Sequence, residues 1–219
     1  VTVPFASIVY IAFGGRAASS RTTRRAENIY RRSINSFKKL DKPQLSKNER
    51  IHLESVYLNT SSNFPVFSDT AVTFLSPGEQ KFEYMMRELK KAKKYIYLEY
   101  FIIADGYMWD NVLDILLQKL TEGVEVKIIY DDLGSGDRFA RDNIKVLKAA
   151  GAQVQLFNPF RPQLNPFMNY RDHRKILIID GYVGFTGGAN IADEYINLQP
   201  RFGYWKDASI MLKGSAVYN

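Results

Sequence analysis

The sequence predicts an α/β fold with a mixed, mostly parallel sheet and helices on both faces. Between residues 76 and 157, runs of β-branched and aromatic residues alternate with segments of helical periodicity, as in strands joined by crossover helices. Residues 176–179 form an unbroken apolar run, which is expected of a strand covered on both sides. With 219 residues, 46% of them hydrophobic, the chain can bury one substantial core.

Composition and charge limit the chemistry that the chain can support. It has no cysteine, which excludes a disulfide scaffold and thiolate metal sites. It has two histidines, His52 and His173, so a histidine-rich metal site is excluded as well. The formal net charge of +7 and the pI near 9.4 favour an anionic partner, either a lipid headgroup or nucleic acid.

The amino-terminal end is apolar and then strongly basic. Residues 1–13 are apolar except for Thr2 and Ser7, and residues 16–50 contain eleven Lys or Arg against three acidic residues. We interpret residues 1–15 as a truncated membrane segment, since about twenty residues are needed to span a bilayer. Residues 16–70 are then a basic juxtamembrane and linker region on the cytoplasmic side. A buried terminal strand or helix and a solvated basic helix are the alternatives.

The remainder, residues 71–219, is predicted to form one domain, entered through a turn-rich connection at residues 59–65. Ser76-Pro77-Gly78-Glu79 predicts a helix start, with a capping box and proline at the first helical position. The expected order is helix 76–94, strand 95–103, helix 108–121, strand 124–130, helix 137–150 and strand 153–157.

The carboxyl half of this domain is predicted to continue with a hairpin. Asp180-Gly181 has hairpin-turn chemistry between a strand at 176–179 and a returning strand at 182–186. Residues 189–197 are predicted to turn helical, and residues 208–212 to form a last strand.

His173 and Lys175 are the first candidate reactive pair. Successive side chains of a strand point to opposite faces, so these two emerge on one side and Arg174 on the other. Beside them, Gly187-Gly188 lets the backbone approach a ligand closely. Amides at such a strand-to-helix junction suit an anion, and the Asn190 amide is a further donor. The combination favours phosphoryl-ester chemistry.

Further candidates lie near the ends of predicted strands, where ligand-facing groups are usual in α/β sheets. Glu99 is one such candidate, and its alternative is an ordinary role facing solvent or a partner. Asp131 is another, and for it we favour a role in organising the loop that follows its strand. The loop 158–170 carries three prolines and several aromatics, among them Tyr170 as a possible site-lining residue. We expect this loop to contact acyl chains, or else to pack on itself.

Together these residues carry a family signature. The spacing H-x-K-x-x-x-x-D followed by G-G-x-N resembles the signature of the phospholipase D superfamily. The flanking residues 169–175 and 190–197 are similar to those of bacterial cardiolipin synthases. Residues 71–219 would then be a first phospholipase D-like catalytic domain. The matching positions are His173, Lys175, Asp180, Gly187, Gly188 and Asn190.

The resemblance implies a two-step displacement at phosphorus through a covalent phosphohistidine. His173 would attack the phosphodiester, Lys175 and Asn190 with the glycine pair would bind the phosphate, and Asp207 would orient the histidine. Asp180 belongs to the implied catalytic set, although a carboxylate between a buried strand and glycine is also good turn chemistry. The implied reaction converts two phosphatidylglycerol molecules into cardiolipin and glycerol, without metal or cofactor.

The sequence contains one such motif, whereas the family's site needs two. His52 is followed by Leu53 and Glu54, so it does not begin a second copy. We expect the second half from a longer form of the chain or from a dimer partner. The implied partners are anionic phospholipid, namely phosphatidylglycerol and cardiolipin, and the cytoplasmic side of a bacterial plasma membrane, with no nucleic acid. A homodimeric nuclease or phosphodiesterase and a non-catalytic module that binds anionic lipid or nucleic acid are the alternatives.

Overall fold

The structure is a computed structural model. It describes residues 64–139, 141–159, 171–201 and 203–219, a helix at 49–61, and residues 7, 24–25 and 27–32 near the amino-terminal end. The chain divides into two compact units, Val1–Ser68 with Arg161–Tyr170, and Asp69–Phe160 with Arg171–Asn219.

The first unit contains helix α1, Glu49–Ser61, and helical residues at 24–25 and 27–32. Helix α1 includes residues 59–61, the start of the stretch predicted to be a turn-rich connection, so that prediction is wrong for these three residues. Within the described part of the chain, no helix has the length and apolar character that crossing a bilayer requires. Most of residues 1–15 and about half of residues 16–70 lie outside the described residues, so the predicted membrane segment, the basic region and the predicted domain bounds stay predictions.

The second unit is a seven-stranded sheet with helices. Its strands lie in the order β1-β7-β6-β5-β2-β3-β4, and short 3₁₀ turns cover residues 136–138, 193–196 and 215–218. The elements in chain order are β1 Ala71–Leu75, α2 Gly78–Leu89, β2 Tyr95–Tyr100, α3 Tyr107–Thr121, β3 Glu125–Asp131, α4 Asp132–Ser135, α5 Arg141–Ala149, β4 Gln153–Phe157, β5 Lys175–Ile179, β6 Val183–Gly187 and β7 Ser209–Lys213.

The predicted α/β fold is confirmed, but the expected predominance of parallel pairing is wrong. Only β2 with β3 and β3 with β4 pair parallel, while the other four neighbouring pairs are antiparallel. The reason is the length of the connections. Helices α3 and α5 provide the long crossovers that parallel strands need, whereas residues 180–182 form a tight turn that forces β6 to run back along β5.

The core lies between one face of the sheet and the helices. Ile96, Leu98 and Leu177 of the central strands pack in one cluster with Met85 of α2 and Trp109 of α3. Leu147 of α5 and the fully buried apolar residues of α2 and α3 belong to the same cluster.

On the opposite face of the sheet, Val72 and Phe74 are exposed, and near its centre Val217 of the last 3₁₀ turn packs against Gly184. The helices described as packing on the sheet therefore share one face. The predicted second helical layer is not found among the described residues.

Helix α2 begins differently from the prediction. Pro77 is its N-cap residue, not its first helical residue. The Ser76 N–H donates to Oε1 of Gln80 at 3.0 Å, so the expected partner Glu79 is replaced by its neighbour. The Ser76 hydroxyl donates instead to the carbonyl of Asp207 at 2.9 Å, which fixes the start of α2 to the segment before β7.

Residues 189–197 are not the predicted helix. Ile191 forms a β-bridge with Ile103, and the following 3₁₀ turn spans only Asp193–Ile196. The tertiary structure overrides the local pattern because the Asp193 carboxylate accepts hydrogen bonds from the N–H groups of Tyr107 and Met108 at 3.0 and 2.8 Å. Asp193 thus caps the first turn of α3 from a distant part of the chain.

This cap gives a stability prediction. Asp193→Ala should lower the free energy of unfolding by about 1–2 kcal/mol, the upper part of the range for lost helix caps, because two N–H groups of α3 lose their acceptor. Urea denaturation measures the change. Asp142→Ala is the matched control, because Asp142 is 85% exposed and pairs with the exposed Lys145, and it should change stability by less than about 0.5 kcal/mol. Equal effects of the two substitutions would contradict the capping role.

Candidate active site

One edge of the sheet collects most of the sequence-predicted site. Because β5 runs antiparallel to β2, the start of β5 meets the end of β2, and Lys175 pairs with Tyr100. Strand β6 runs antiparallel to both β5 and β7, so its last residue, Gly187, meets Ser209 at the start of β7. The segments before β5, after β6 and before β7 therefore lie side by side.

Lys175 is a buried cation at this edge, with a relative exposure of 4%. Its Nζ donates to the carbonyl oxygen of His173 at 2.7 Å and lies 5.2 Å from the centre of the Phe101 ring. Burial lowers the pKa of Lys175, and the carboxylates of Asp207 and Asp172 act in the opposite direction. Among the described residues no salt bridge pairs Lys175 with a carboxylate, which leaves the ammonium suited to a bound anion.

His173 is exposed, and its ring centre lies 4.8 Å from that of Phe101. The imidazole and the Lys175 ammonium therefore contact the same aromatic ring, in keeping with the expected shared volume. Phe101 follows β2 and was not singled out by the sequence. The proposed roles of His173 as nucleophile and Lys175 as phosphate ligand stay predictions.

Asp131 holds the backbone that leads into His173. Its fully buried carboxylate accepts a hydrogen bond from the Asp172 N–H at 3.0 Å through Oδ2 and from the Leu133 N–H at 2.8 Å through Oδ1. Arg171 Nη1 lies 3.4 Å from Oδ1. The loop-organising role predicted for Asp131 is confirmed. The same carboxylate also contacts Arg171 and Asp172, the two residues just before the histidine.

The glycine pair allows a close approach between two segments of the chain. A Cβ on Gly187, whose φ is +154°, would lie 2.5 Å from Ser209 Cα, and a Cβ on Gly188 would lie 2.1 Å from Oδ1 of Asp207. The Gly188 N–H donates to the carbonyl of Ala208 at 3.0 Å, so it is not a free anion donor. The glycines therefore let residues 187–190 run against the start of β7.

The next two N–H groups are different. Among the described residues, the N–H groups of Ala189 and Asn190 form no hydrogen bond, although both residues are almost completely buried. Buried backbone donors without a partner are rare in folded proteins. Two successive free donors suit a bound oxyanion, so the candidate anion site uses the N–H groups of residues 189 and 190 and not those of the glycine pair.

The Asn190 side chain is already used by the fold. Its Oδ1 accepts from the Ile102 N–H at 2.9 Å, and its Nδ2 donates to the hydroxyl of Tyr195 at 2.7 Å. These contacts fasten the end of β2 to the loop after β6. The side-chain amide has one further hydrogen that the described contacts do not use, and its predicted contact with phosphate stays a prediction.

Asp207 lies beside the glycine pair. Its Oδ2 accepts from Trp205 Nε1 at 3.3 Å, and its Oδ1 accepts from the Ala208 N–H at 2.7 Å. A hydrogen bond to His173 is not found among the described contacts, so the predicted orienting role stays a prediction. What the structure adds is that Asp207 acts electrostatically on two buried ammonium groups, those of Lys175 and Lys81.

Asp180 lies at the other end of β5 from Lys175, about 16 Å away at the usual rise of about 3.3 Å per residue. Its carboxylate accepts hydrogen bonds from the N–H groups of Lys93, Lys94 and Tyr95 at 2.9, 2.7 and 3.0 Å. Burial acts to raise its pKa, but these bonds, that from Tyr95 first, bring it below the usual value. The inclusion of Asp180 in the catalytic set is therefore corrected to a structural role.

Glu99 lies on the side of the sheet opposite to Lys175, since it alternates with Tyr100 along β2. It forms a salt bridge with Arg174, which also bonds Asp172 at 3.0 Å. Burial raises the pKa of Glu99 to about 7, helped by a hydrogen bond with Asp172 and opposed by Arg174. Glu99 thus braces the residues on either side of His173 from the face of the sheet opposite to Lys175. Tyr170, the other predicted lining residue, is outside the described residues.

The sequence interpretation missed Lys81, which is completely buried in α2. The available signal was its position, since Lys81, Met85 and Leu89 are four residues apart and share one helix face. A lysine on such an apolar stripe is unusual. Within the described part of the chain, no three His, Asp or Glu side chains lie close enough to hold a metal ion.

Comparisons with known proteins agree with this geometry. Residues 85–200 match a family model described as cardiolipin synthase, PLD-like domain. An uncharacterized protein of Streptococcus mutans is 50% identical over 161 residues, which cover 74% of this chain and 35% of that protein. The major cardiolipin synthase ClsA of Bacillus subtilis is 36% identical over 221 residues, covering 96% of this chain and 45% of that protein. The chain thus spans less than half the length of these relatives.

Solved structures give the fold. The phospholipase D family member Nuc from Salmonella typhimurium aligns with a TM-score of 0.50 at 16% identity, covering 68% of this chain and 86% of Nuc. NucT from Helicobacter pylori aligns with a TM-score of 0.53 at 13% identity, over 68% of this chain and 89% of NucT. The fold is therefore that of a phospholipase D-like domain. More particularly, the chain belongs to the cardiolipin synthase family of such domains, and the resemblance seen in the sequence is confirmed.

The raised pKa of Glu99 gives a pH-dependent prediction. Between pH 4.5 and 7 the folded protein holds a proton on Glu99 that the unfolded chain has released, so this residue makes stability fall as pH rises through that window. Glu99→Gln stays neutral and should remove that fall. The melting temperature of the variant should match that of the wild type near pH 4.5 and exceed it above pH 7, by about 2–4 °C. Thermal unfolding across this pH range measures the difference, and a constant difference at all pH values would contradict it.

Proposed function

We propose that the full-length protein is a phosphatidyltransferase of the cardiolipin synthase type. It would convert two phosphatidylglycerol molecules into cardiolipin and glycerol. The observation that carries the proposal is the buried ammonium of Lys175, which is not bonded to a carboxylate of any described residue and lies on the same aromatic ring as the exposed imidazole of His173. A buried cation without a bonded carboxylate is stabilised by a bound anion. Because the chain belongs to the cardiolipin synthase family, we propose that this anion is a phospholipid.

In the first step, a nitrogen of His173 attacks phosphorus of one phosphatidylglycerol. The bond from phosphorus to the headgroup glycerol oxygen breaks, and a phosphatidyl-histidine forms. A general acid gives the departing glycerol oxygen a proton. Lys175 and the free N–H groups of Ala189 and Asn190 stabilise the negative charge on the non-bridging oxygens.

In the second step, a hydroxyl of the other phosphatidylglycerol attacks the same phosphorus. Its proton passes to the group that acted as acid, the bond from phosphorus to His173 breaks, and cardiolipin leaves. Water in place of the lipid hydroxyl would give phosphatidic acid. The ratio of transfer to hydrolysis therefore depends on which acceptor reaches the intermediate.

The general acid is proposed to be the histidine of a second H-x-K motif. It would come from another part of a longer polypeptide or from a second copy of the chain, and His52 lies in a sequence without this spacing. The relatives are more than twice as long as the matched region, which suits the first source.

The proposed site of action is the cytoplasmic face of a bacterial plasma membrane. Phosphatidylglycerol is held in the bilayer, so the edge with His173 has to reach the headgroup plane. The eleven basic residues between 16 and 50 support contact with an anionic surface, where each Lys or Arg contributes about 1 kcal/mol.

Substitution of the proposed nucleophile, His173, tests the proposal. In the full-length protein with phosphatidylglycerol vesicles, His173→Ala should lower cardiolipin formation by at least about 10³-fold, because no intermediate can form. Its matched control is His52→Ala, which removes the other histidine of this chain and should leave the rate within about twofold. Lipid products are quantified by mass spectrometry.

Other outcomes point to the alternatives. Cleavage of nucleic acid by the wild type without cardiolipin formation would make the protein a nuclease. Vesicle binding without any turnover would make it a lipid-binding module. Full activity of His173→Ala would remove the proposed nucleophile under any of these functions.

A further inference from the structure

Lys81 is a completely buried lysine that lies behind the loop 187–190. Its Nζ donates to the carbonyl oxygen of Ala189 at 2.5 Å and lies 5.0 Å from the centre of the Tyr100 ring. Within the described part of the chain it forms no salt bridge. Its ammonium is therefore held by one neutral oxygen and the face of one ring.

The charged groups that face Lys81 are few. Asp207, from the segment before β7, attracts its charge, and Lys175 of β5 repels it. Strand β2 presents Tyr100, whose buried hydroxyl has no partner among the described residues. The loop 187–190 presents the backbone carbonyl of Ala189. Burial, which outweighs the attraction of Asp207, lowers the pKa of Lys81 to about 7.

Packing at position 81 does not require a charged side chain. A methionine at this position would have nearly the same stem and volume without the desolvation cost of an ammonium. Helix α2 and the core around Met85 would keep their packing. A lysine that costs stability in a buried position and contacts the loop of a functional site is better explained by that site.

The contact with Ala189 sets the direction of one peptide group. In a trans peptide the C=O and the following N–H point to opposite sides. Because the Ala189 carbonyl points to Lys81, the N–H of Asn190 points away from α2. This is one of the two buried N–H groups that have no hydrogen-bond acceptor among the described residues.

We propose that Lys81 is a positioning residue of the phosphodiester site, which holds the Ala189–Asn190 peptide so that its N–H faces a non-bridging phosphate oxygen. This inference rests on the proposed function of the edge around His173 and Lys175. Lys81 does not touch the phosphate, but it adds a positive field behind the loop. A bound anion in turn favours the protonated form of Lys81, so anion binding takes up a proton near neutral pH.

The test compares Lys81→Met with Lys119→Met in the full-length protein. Lys119 is the matched control because it is also a mostly buried helical lysine, 7% exposed, and its ammonium bonds Glu122 at 2.7 Å in α3. Lys81→Met removes a buried charge and should stay folded, which thermal unfolding verifies.

The first readout is kcat/KM for cardiolipin formation between pH 6 and pH 9. At pH 6, kcat/KM of the wild type should exceed that of Lys81→Met by about 10-fold or more. We expect less than the 10²–10³-fold cost of losing an oxyanion donor outright, because the N–H of residue 190 is still present in the variant. The ratio of wild type to variant should fall as the pH rises past about 7, because the wild type then loses the charge that the variant never had. Lys119→Met should follow the wild type throughout.

The second readout needs no turnover. Binding of inorganic sulfate, which does not titrate near neutral pH, is measured by calorimetry at pH 8 in two buffers of different ionisation enthalpy. The wild type and Lys119→Met should take up more protons per sulfate than Lys81→Met. Any proton uptake that does not depend on Lys81 is common to all three proteins and cancels in the comparison.

The outcomes are distinct. If Lys81→Met keeps the wild-type rate and pH profile, or binds sulfate with the same proton uptake, the positioning role is wrong. If the wild type makes no cardiolipin but shows the Lys81-dependent proton uptake, the proposed reaction is wrong and the anion site with its buried lysine stands.

Discussion

Two buried ammonium groups lie in the field of Asp207, one of them also in that of Asp172, and the rest of the site depends on this placement of charge. Lys81 and Lys175 are both buried, Asp207 attracts each of them, and neither forms a salt bridge among the described residues. A buried cation without a bonded carboxylate costs free energy. The chain offsets part of that cost with the carbonyls of Ala189 and His173 and with aromatic rings. In the proposed function, the phosphodiester is the anion that offsets the rest of this cost.

Antiparallel pairing is what brings these groups together. Strands β5, β6 and β7 reverse direction one after another, so the start of β5, the end of β6 and the start of β7 meet at one edge beside the end of β2. Buried polar side chains then fix the segments beyond the strands. Asp131 holds the backbone before His173, Asn190 fastens the loop after β6 to β2, and Asp193 caps α3. The segments around the exposed imidazole of His173 are thus held in place by buried side chains whose hydrogen bonds are formed.

Much of the fold was predictable from local patterns, because alternation and helical periodicity report which residues face a core. The strands and helices between 95 and 157, and the hairpin at Asp180, lie close to their predicted places. The predictions failed where distant contacts decide. Residues 189–197 have a helical pattern, but Asp193 is drawn to α3, and the proportion of parallel pairing depends on connections that periodicity does not describe.

For the site, the sequence by itself determined where the candidate residues lie, because His173, Lys175 and Gly187-Gly188 occur at a spacing that one strand and one turn convert directly into neighbours. Only the tertiary structure decided the roles of the other polar residues. It directed Asp180 to three backbone N–H groups at the far end of β5 and Glu99 to the outer side of the sheet. It also placed Lys81, more than ninety residues before the motif, behind the loop. A side chain's partner across such a distance is set by packing and burial, and no local pattern encodes it.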